Sequence, residues 1–124
     1  MRSHVVKISN GLNVVFDVGQ NAQENHDLID IAKPHDIWVH VKGRPSCHVI
    51  GHIPVEVIES ASKVRRDTVR KIAKQGAVLC KRYSKYASEK HLAMDICRVS
   101  GIEKTSTRGE VVITNPELLN VIVI

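Results

Sequence analysis

Aromatic side chains are scarce: Phe16, Trp38, Tyr83 and Tyr86 are the only four in 124 residues. Proteins that read single strands stack successive bases on several exposed rings, so a platform of that kind is not expected here. Cysteine is also rare. Cys47, Cys80 and Cys97 are odd in number and widely spaced, and they form no CxxC pair. That pattern excludes a disulfide framework and fits reduced thiols in a cytoplasmic setting. No apolar run approaches the roughly 18 residues of a membrane span, and Lys7 interrupts the N-terminal apolar residues before a signal-peptide core can form. A helical membrane protein is excluded. GxSxG, HExxH and the Walker GxxxxGK[ST] are all absent, which removes the usual signatures of α/β-hydrolases, zinc peptidases and P-loop proteins.

What the chain does have is positive charge, unevenly placed. The net charge is +5. Residues 1–60 carry five Lys/Arg against seven Asp/Glu, and residues 61–124 carry thirteen against six, so the second half holds the whole excess. Ten basic and two acidic residues fall between 63 and 90. Such a run is either a solvated helix face or a surface that meets a polyanion.

The hydrophobic pattern predicts one α+β domain: a mostly antiparallel or mixed sheet of about six to seven strands, one short helix and one long basic helix. Val6 and Ile8, an Asn10-Gly11 turn signal, and then Leu12, Val14, Phe16 and Val18 read as a hairpin. Asn21 with Glu24 three residues later is a capping box, opening a short helix that Pro34 ends. Ile37 to Val41 and His48 to His52 read as strands joined by a Gly/Pro loop, with Trp38, His40 and Lys42 sharing one face. From Pro54 to about Ser84, Ile58, Val64, Val69, Ile72, Gly76, Leu79 and Tyr83 stay within one sector at 100° per residue, predicting a single long helix with Gly76 as a close-packing site, a break at Gly76 being the alternative. Lys63, Arg66, Arg70, Lys74, Lys81 and Lys85 fall on its opposite side, and Arg65 breaks the pattern on the apolar edge. Leu92 to Cys97, Glu110 to Thr114 and Leu119 to Ile124 read as further strands, with a Ser/Thr-rich loop from Ser100 to Gly109. The last strand either completes the sheet or pairs across a dimer.

Four of the seven histidines lie between 35 and 52, beside Trp38 and Cys47. His40, His48, His52 and Cys47 supply ligand types for zinc, but their spacing matches neither structural nor catalytic zinc patterns, and local packing of strand histidines explains them as well. Ser46 or Cys47 with His40 or His48 and Asp36 would supply the parts of a hydrolytic triad, yet any histidine-rich chain offers such combinations. Lys104 and Arg108, in the Ser100 to Gly109 loop with its hydroxyls and glycines, could hold phosphate. Trp38 could stack one base or sit in the core.

The runs Gly19-Gln20-Asn21 with Asn25, then Ala32-Lys33-Pro34-x-Asp36-Ile37-Trp38-x-His40-Val41-Lys42-Gly43, then Pro45-Ser46-x-His48-Val49-Ile50 resemble the NFACT RNA-binding domain (NFACT-R). The resemblance extends over nearly the whole chain. That family includes ribosome-associated quality-control factors, which bind the large ribosomal subunit and transfer RNA. The N-terminal module, helix-hairpin-helix segment and coiled coil of those factors have no counterpart in these residues, so the expectation is a stand-alone domain that binds RNA without catalysis. Gln20 and Cys47 depart from the family pattern. The Ser100 to Gly109 loop is also poorer in lysine than is typical of the family.

The resulting expectation is a cytoplasmic, non-catalytic protein that grips transfer or ribosomal RNA mainly through phosphates, with the large ribosomal subunit as a further partner and no membrane, cofactor or metal. Lys63, Arg66, Arg70, Lys74, Lys81 and Lys85 supply the helix contribution. Lys42 and Arg44 form one loop clamp and Lys104 and Arg108 a second, with Trp38, His40 and His48 lining the site between them. Asn21, Asn25, Asp36 and Gly43 are motif positions. The alternatives are a metal-assisted or Cys/His hydrolase and a protein-interaction adaptor.

Overall fold

The computed structural model describes residues 1–9 and 11–124. The alternating apolar residues form β1 (Arg2–Ser9) and β2 (Leu12–Gly19), an antiparallel pair. The Asn10 half of the expected turn lies outside the described residues. Asn21 caps α1 (Ala22–Ile31), its Oδ1 accepting the Glu24 N–H at 2.9 Å. The Glu24 carboxylate accepts the Gln20 N–H at 3.1 Å rather than that of Asn21 itself, so the capping box closes one residue early. β3 (Ile37–Val41) and β4 (His48–Gly51) pair antiparallel as expected. Between them Gly43 sits at a φ of +69°, a backbone region that a side chain would strain.

The single helix expected from Pro54 is two helices. A turn, α2 (Val55–Ile58), stops before α3 (Ser62–Tyr83) begins. The break has a chemical reason. Ser60 Oγ donates back to the Val57 carbonyl at 2.6 Å, and the Arg65 guanidinium donates to the carbonyls of Ile58 at 3.2 Å and Ser60 at 3.4 Å. Side chains thereby satisfy the carbonyls that a continuous helix would have used. The task of Arg65, the one residue out of phase, is to cap this break. Val64, expected inside, is 56% exposed, because the buried face of α3 begins only at Ile72.

After α3 come β5 (Ala93–Arg98), a 3₁₀ turn, β6 (Ile102–Lys104), β7 (Val111–Ile113), a second 3₁₀ turn and β8 (Asn120–Val123). The loop expected from Ser100 to Gly109 therefore contains a short strand. Six strands form one antiparallel sheet in the order β1-β2-β4-β3-β5-β8, while β6 and β7 make a separate ribbon. β8 pairs with β5 of its own chain, so the C-terminal strand completes the internal sheet and forms its edge.

The sheet is covered on both faces. On one, α3 packs against Phe16, Val39, Val49 and Met94, with Ile72, Ala77 and Leu79 facing inward. Gly76 packs closely there: a Cβ would lie 3.0 Å from Val39 Cγ2, so a larger residue would push on that buried valine. On the other face Trp38, Ile50 and Cys97 are covered by Leu28 of α1 and by Ile102, Val111, Ile113 and Leu118 of the ribbon region. Each fully buried side chain of this kind contributes about 1.5–3 kcal/mol. In this second layer α1 and the ribbon touch where Gly109 packs against Ala22 and Lys104 pairs with Asp30, and the site opens beside that contact.

Candidate nucleic-acid interface

Between α1 and the ribbon lies a cleft of about 810 Å³, floored by β3 and β4 and bounded by the β3–β4 loop and the end of α3. The strand register builds its floor. Trp38 pairs across with Ile50, so the next cross-strand position sets His40 beside His48, and Asp95 of β5 pairs with His40 on the other side. Trp38 Nε1–H donates to His48 Nδ1 at 3.1 Å, and the His48 backbone N–H donates to Asn25 Oδ1 at 3.1 Å, which ties α1 to β4. The His40 ring lies parallel to the Trp38 indole, with centroids 5.6 Å apart, and meets His48 edge-on at 4.8 Å.

Trp38 and His48 are each 3% exposed, so both form the floor rather than a free surface. Burial pushes the His48 imidazole down to about 3, and repulsion from His40 when that ring is protonated adds to the shift. Burial likewise lowers His40. Both rings are neutral at physiological pH, and with Nδ1 accepting from Trp38 the remaining proton of His48 sits on Nε2.

Three of the four cations expected in the loops are engaged. Lys42 Nζ stands 3.4 Å from Asp95 Oδ1. Arg44 donates both guanidinium nitrogens to Glu89, at 2.9 and 3.1 Å, and lies 4.0 Å from the centroid of the Tyr86 ring. Lys104 pairs with Asp30. Exposed pairs of this kind contribute about 0–1 kcal/mol, so they orient the lysines and the arginine more than they stabilise the fold. Arg108 and Lys85, by contrast, line the cleft, and no described carboxylate lies within ion-pair distance of either. Asn21, Asn25 and Gly43 also line it.

The helix cations stand apart from the cleft, on the solvent side of α3. Lys63, Arg66, Arg70 and Lys74 are exposed and make no ion pair among the described residues. Lys71 and Arg82, which the sequence pattern did not single out, are exposed on the same helix. Lys81 differs, donating to the Ile124 carbonyl at 2.9 Å. Arg66 and Arg70 also line a smaller groove of about 570 Å³ together with Arg98 of β5.

The residues of the triad alternative do not assemble. Asp36 is buried and its carboxylate accepts from the Ile53 N–H and the Lys33 N–H, both at 2.9 Å, and from His52 at 3.0 Å. His52 bridges it to Asp17 at 2.7 Å, and Asp17 in turn accepts from Ser3. Neither His40 nor His48 meets Asp36. Ser46 Oγ accepts the Val41 N–H at 3.1 Å and bonds the Cys47 carbonyl, while Cys47 Sγ lies against Cys80 Sγ at 3.9 Å. Among the described residues no three His, Cys, Asp or Glu side chains stand close enough to share a metal ion.

The sequence pattern did not announce the His52 bridge, because Asp17 lies in β2 and Asp36 in the bend before β3, and no spacing links them. It also missed Tyr83, Thr107 and Glu110 on the cleft wall.

No protein-family model and no curated protein matches this chain. Its fold is similar to the C-terminal part of the fibronectin/fibrinogen-binding protein from Streptococcus suis, with a TM-score of 0.73 and 18% sequence identity over 98% of this chain. The chain spans 45% of that structure. At this identity the likeness establishes the fold. No described helix is long and apolar enough to cross a membrane.

Proposed function

We propose that this chain is a non-catalytic RNA-binding protein that grips structured RNA, transfer or ribosomal, through its phosphates, in a translation setting that includes the large ribosomal subunit. The observation that carries the reading is the solvent side of α3, where Lys63, Arg66, Arg70 and Lys74 have no carboxylate partner among the described residues. From Lys63 to Lys81 the helix rises about 27 Å, enough to follow several phosphates along a duplex strand. The resemblance of the Asp36 to Gly43 and Pro45 to Ile50 runs to the NFACT RNA-binding domain supports the same reading. The absence of catalysis is supported by Asp36 and Ser46, whose polar atoms are spent on structural hydrogen bonds.

A second reading, a protein-interaction adaptor, is favoured by the name of the structural neighbour, a fibronectin/fibrinogen-binding protein. Labelled transfer RNA and purified chain freed of nucleic acid separate the two. RNA binding that weakens about a hundredfold when salt is tripled supports the first reading. Absence of RNA binding, with protein partners retained from a ribosome preparation after RNase treatment, supports the second.

A further inference from the structure

The cleft over β3 and β4 has a feature that the phosphate-gripping reading leaves unused. His48 is almost wholly buried, its Nδ1 is occupied by the Trp38 indole, and its Nε2 has no hydrogen-bond partner among the described residues. Nε2 is not among the fully enclosed unpartnered atoms, of which His26 Nδ1 is the one among the described residues, so it opens onto the cleft that His48 lines. A neutral imidazole held by a tryptophan on one side presents a single directed N–H donor on the other. Leaving such a donor unmade costs stability unless a ligand or water meets it.

Three further properties define what would meet it. The volume, about 810 Å³, lies in the range of roughly 300–1,000 Å³ usual for small-molecule sites. The floor offers a flat surface, since His40 is partly exposed and lies parallel to Trp38. The rim carries Arg108 on the ribbon side and Lys85 beyond the end of α3, neither engaged by a described carboxylate. A planar heteroaromatic ring with an acceptor on its edge, joined to a phosphate, satisfies all three.

We infer that the cleft binds one unpaired ribonucleotide, its base against His40 with an edge acceptor toward His48 Nε2–H, and its phosphate toward Arg108 and Lys85. The inference shares its ligand class with the RNA reading but uses a different surface from the α3 stripe. The two therefore fail separately. In an RNA complex the helix would supply sequence-independent grip, and the cleft would select for a base that is free to leave its stack.

The test is a titration of the ¹⁵N-labelled full chain, following the His48 ring nitrogens and the Trp38 indole N–H, with the four ribonucleoside 5′-monophosphates, their nucleosides, and inorganic phosphate. The expected result is saturable movement of both signals with at least one monophosphate. That monophosphate should bind about tenfold or more tightly than its nucleoside or phosphate alone. Arg108→Ala should weaken it about tenfold while leaving the free-state Trp38 signal in place, which shows an intact floor. Arg66→Ala, Arg70→Ala and Lys74→Ala together should leave mononucleotide binding unchanged even where binding of long RNA is lost. The inference is overturned if no monophosphate moves the signals, if inorganic phosphate moves them equally well, or if the triple helix variant abolishes the effect.

Discussion

Lys42, Arg44 and Lys104 each face a carboxylate, whereas Lys63, Arg66, Arg70 and Lys74 face none among the described residues. The two groups carry the same charge in different company. None of these three loop cations lines the cleft, and each is held in place by a partner that also lowers the local positive potential. The helix cations ride on one element whose opposite side is anchored by Ile72, Gly76 and Leu79, so their outward field is not cancelled. Charge in sequence therefore does not rank cations by their availability to a polyanion; their neighbours in the fold do. The helix surface is suited to sequence-independent phosphate contact, and the cleft to a shaped ligand.

The comparison breaks most visibly if the cleft floor is not structural. Trp38→Ala removes a buried indole and the hydrogen bond that orients His48, and is expected to destabilise the fold by about 3–5 kcal/mol in chemical denaturation. A loss below about 1 kcal/mol would mean that Trp38 belongs to a free surface. Next in size, Arg66→Ala, Arg70→Ala and Lys74→Ala together are expected to weaken binding of labelled transfer RNA about a hundredfold at moderate salt, with the melting temperature unchanged within a few degrees.

A pH series separates the floor's neutral histidines from His52. The hydrogen bond with Asp36 raises His52, against the burial that opposes it, and Asp17 adds to the rise. With a folded pKa above the unfolded value of about 6.5, its contribution is complete below that pH and is lost as pH climbs through the folded value. Stability should fall on the alkaline side, and His52→Gln should flatten that decline. Asp36 works in the opposite direction. Burial alone would raise it, but its bonds from His52, Lys33 and Ile53 outweigh burial and lower it, so its contribution is lost only as pH falls below the ordinary carboxylate range. The smallest expected effect belongs to the loop clamps. Lys42→Ala and Lys104→Ala should each change RNA affinity by about threefold or less, because each removes a cation already neutralised by its neighbour.

Much of the architecture was legible in the sequence, and the reasons are local. The Asn21 cap, the alternation through Ile37 to Val41, and the close packing at Gly76 depend on residues near one another in the chain. The break between α2 and α3 was not legible from periodicity, since apolar phase continues through it. The out-of-phase Arg65 was the one sign of it. For the site, the pattern brought out Trp38, His40 and His48 on a common face but not their burial, because α1 and the ribbon cover them from distant parts of the chain. The partners Asp95, Glu89 and Asp30 lie 45 to 74 residues away from the cations they engage. No spacing rule reaches that far, so pairing of the loop clamps could be read only from the fold.

The most direct test of the central claim is the slope of log affinity against log salt for transfer RNA, measured for the native chain, the triple α3 variant and the Lys42→Ala/Lys104→Ala variant. The account predicts a native slope near −4 for about six phosphates, a slope about two units shallower for the α3 variant, and a slope close to native for the loop variant. A flat native slope, or one that the loop variant reduces and the α3 variant does not, would contradict it.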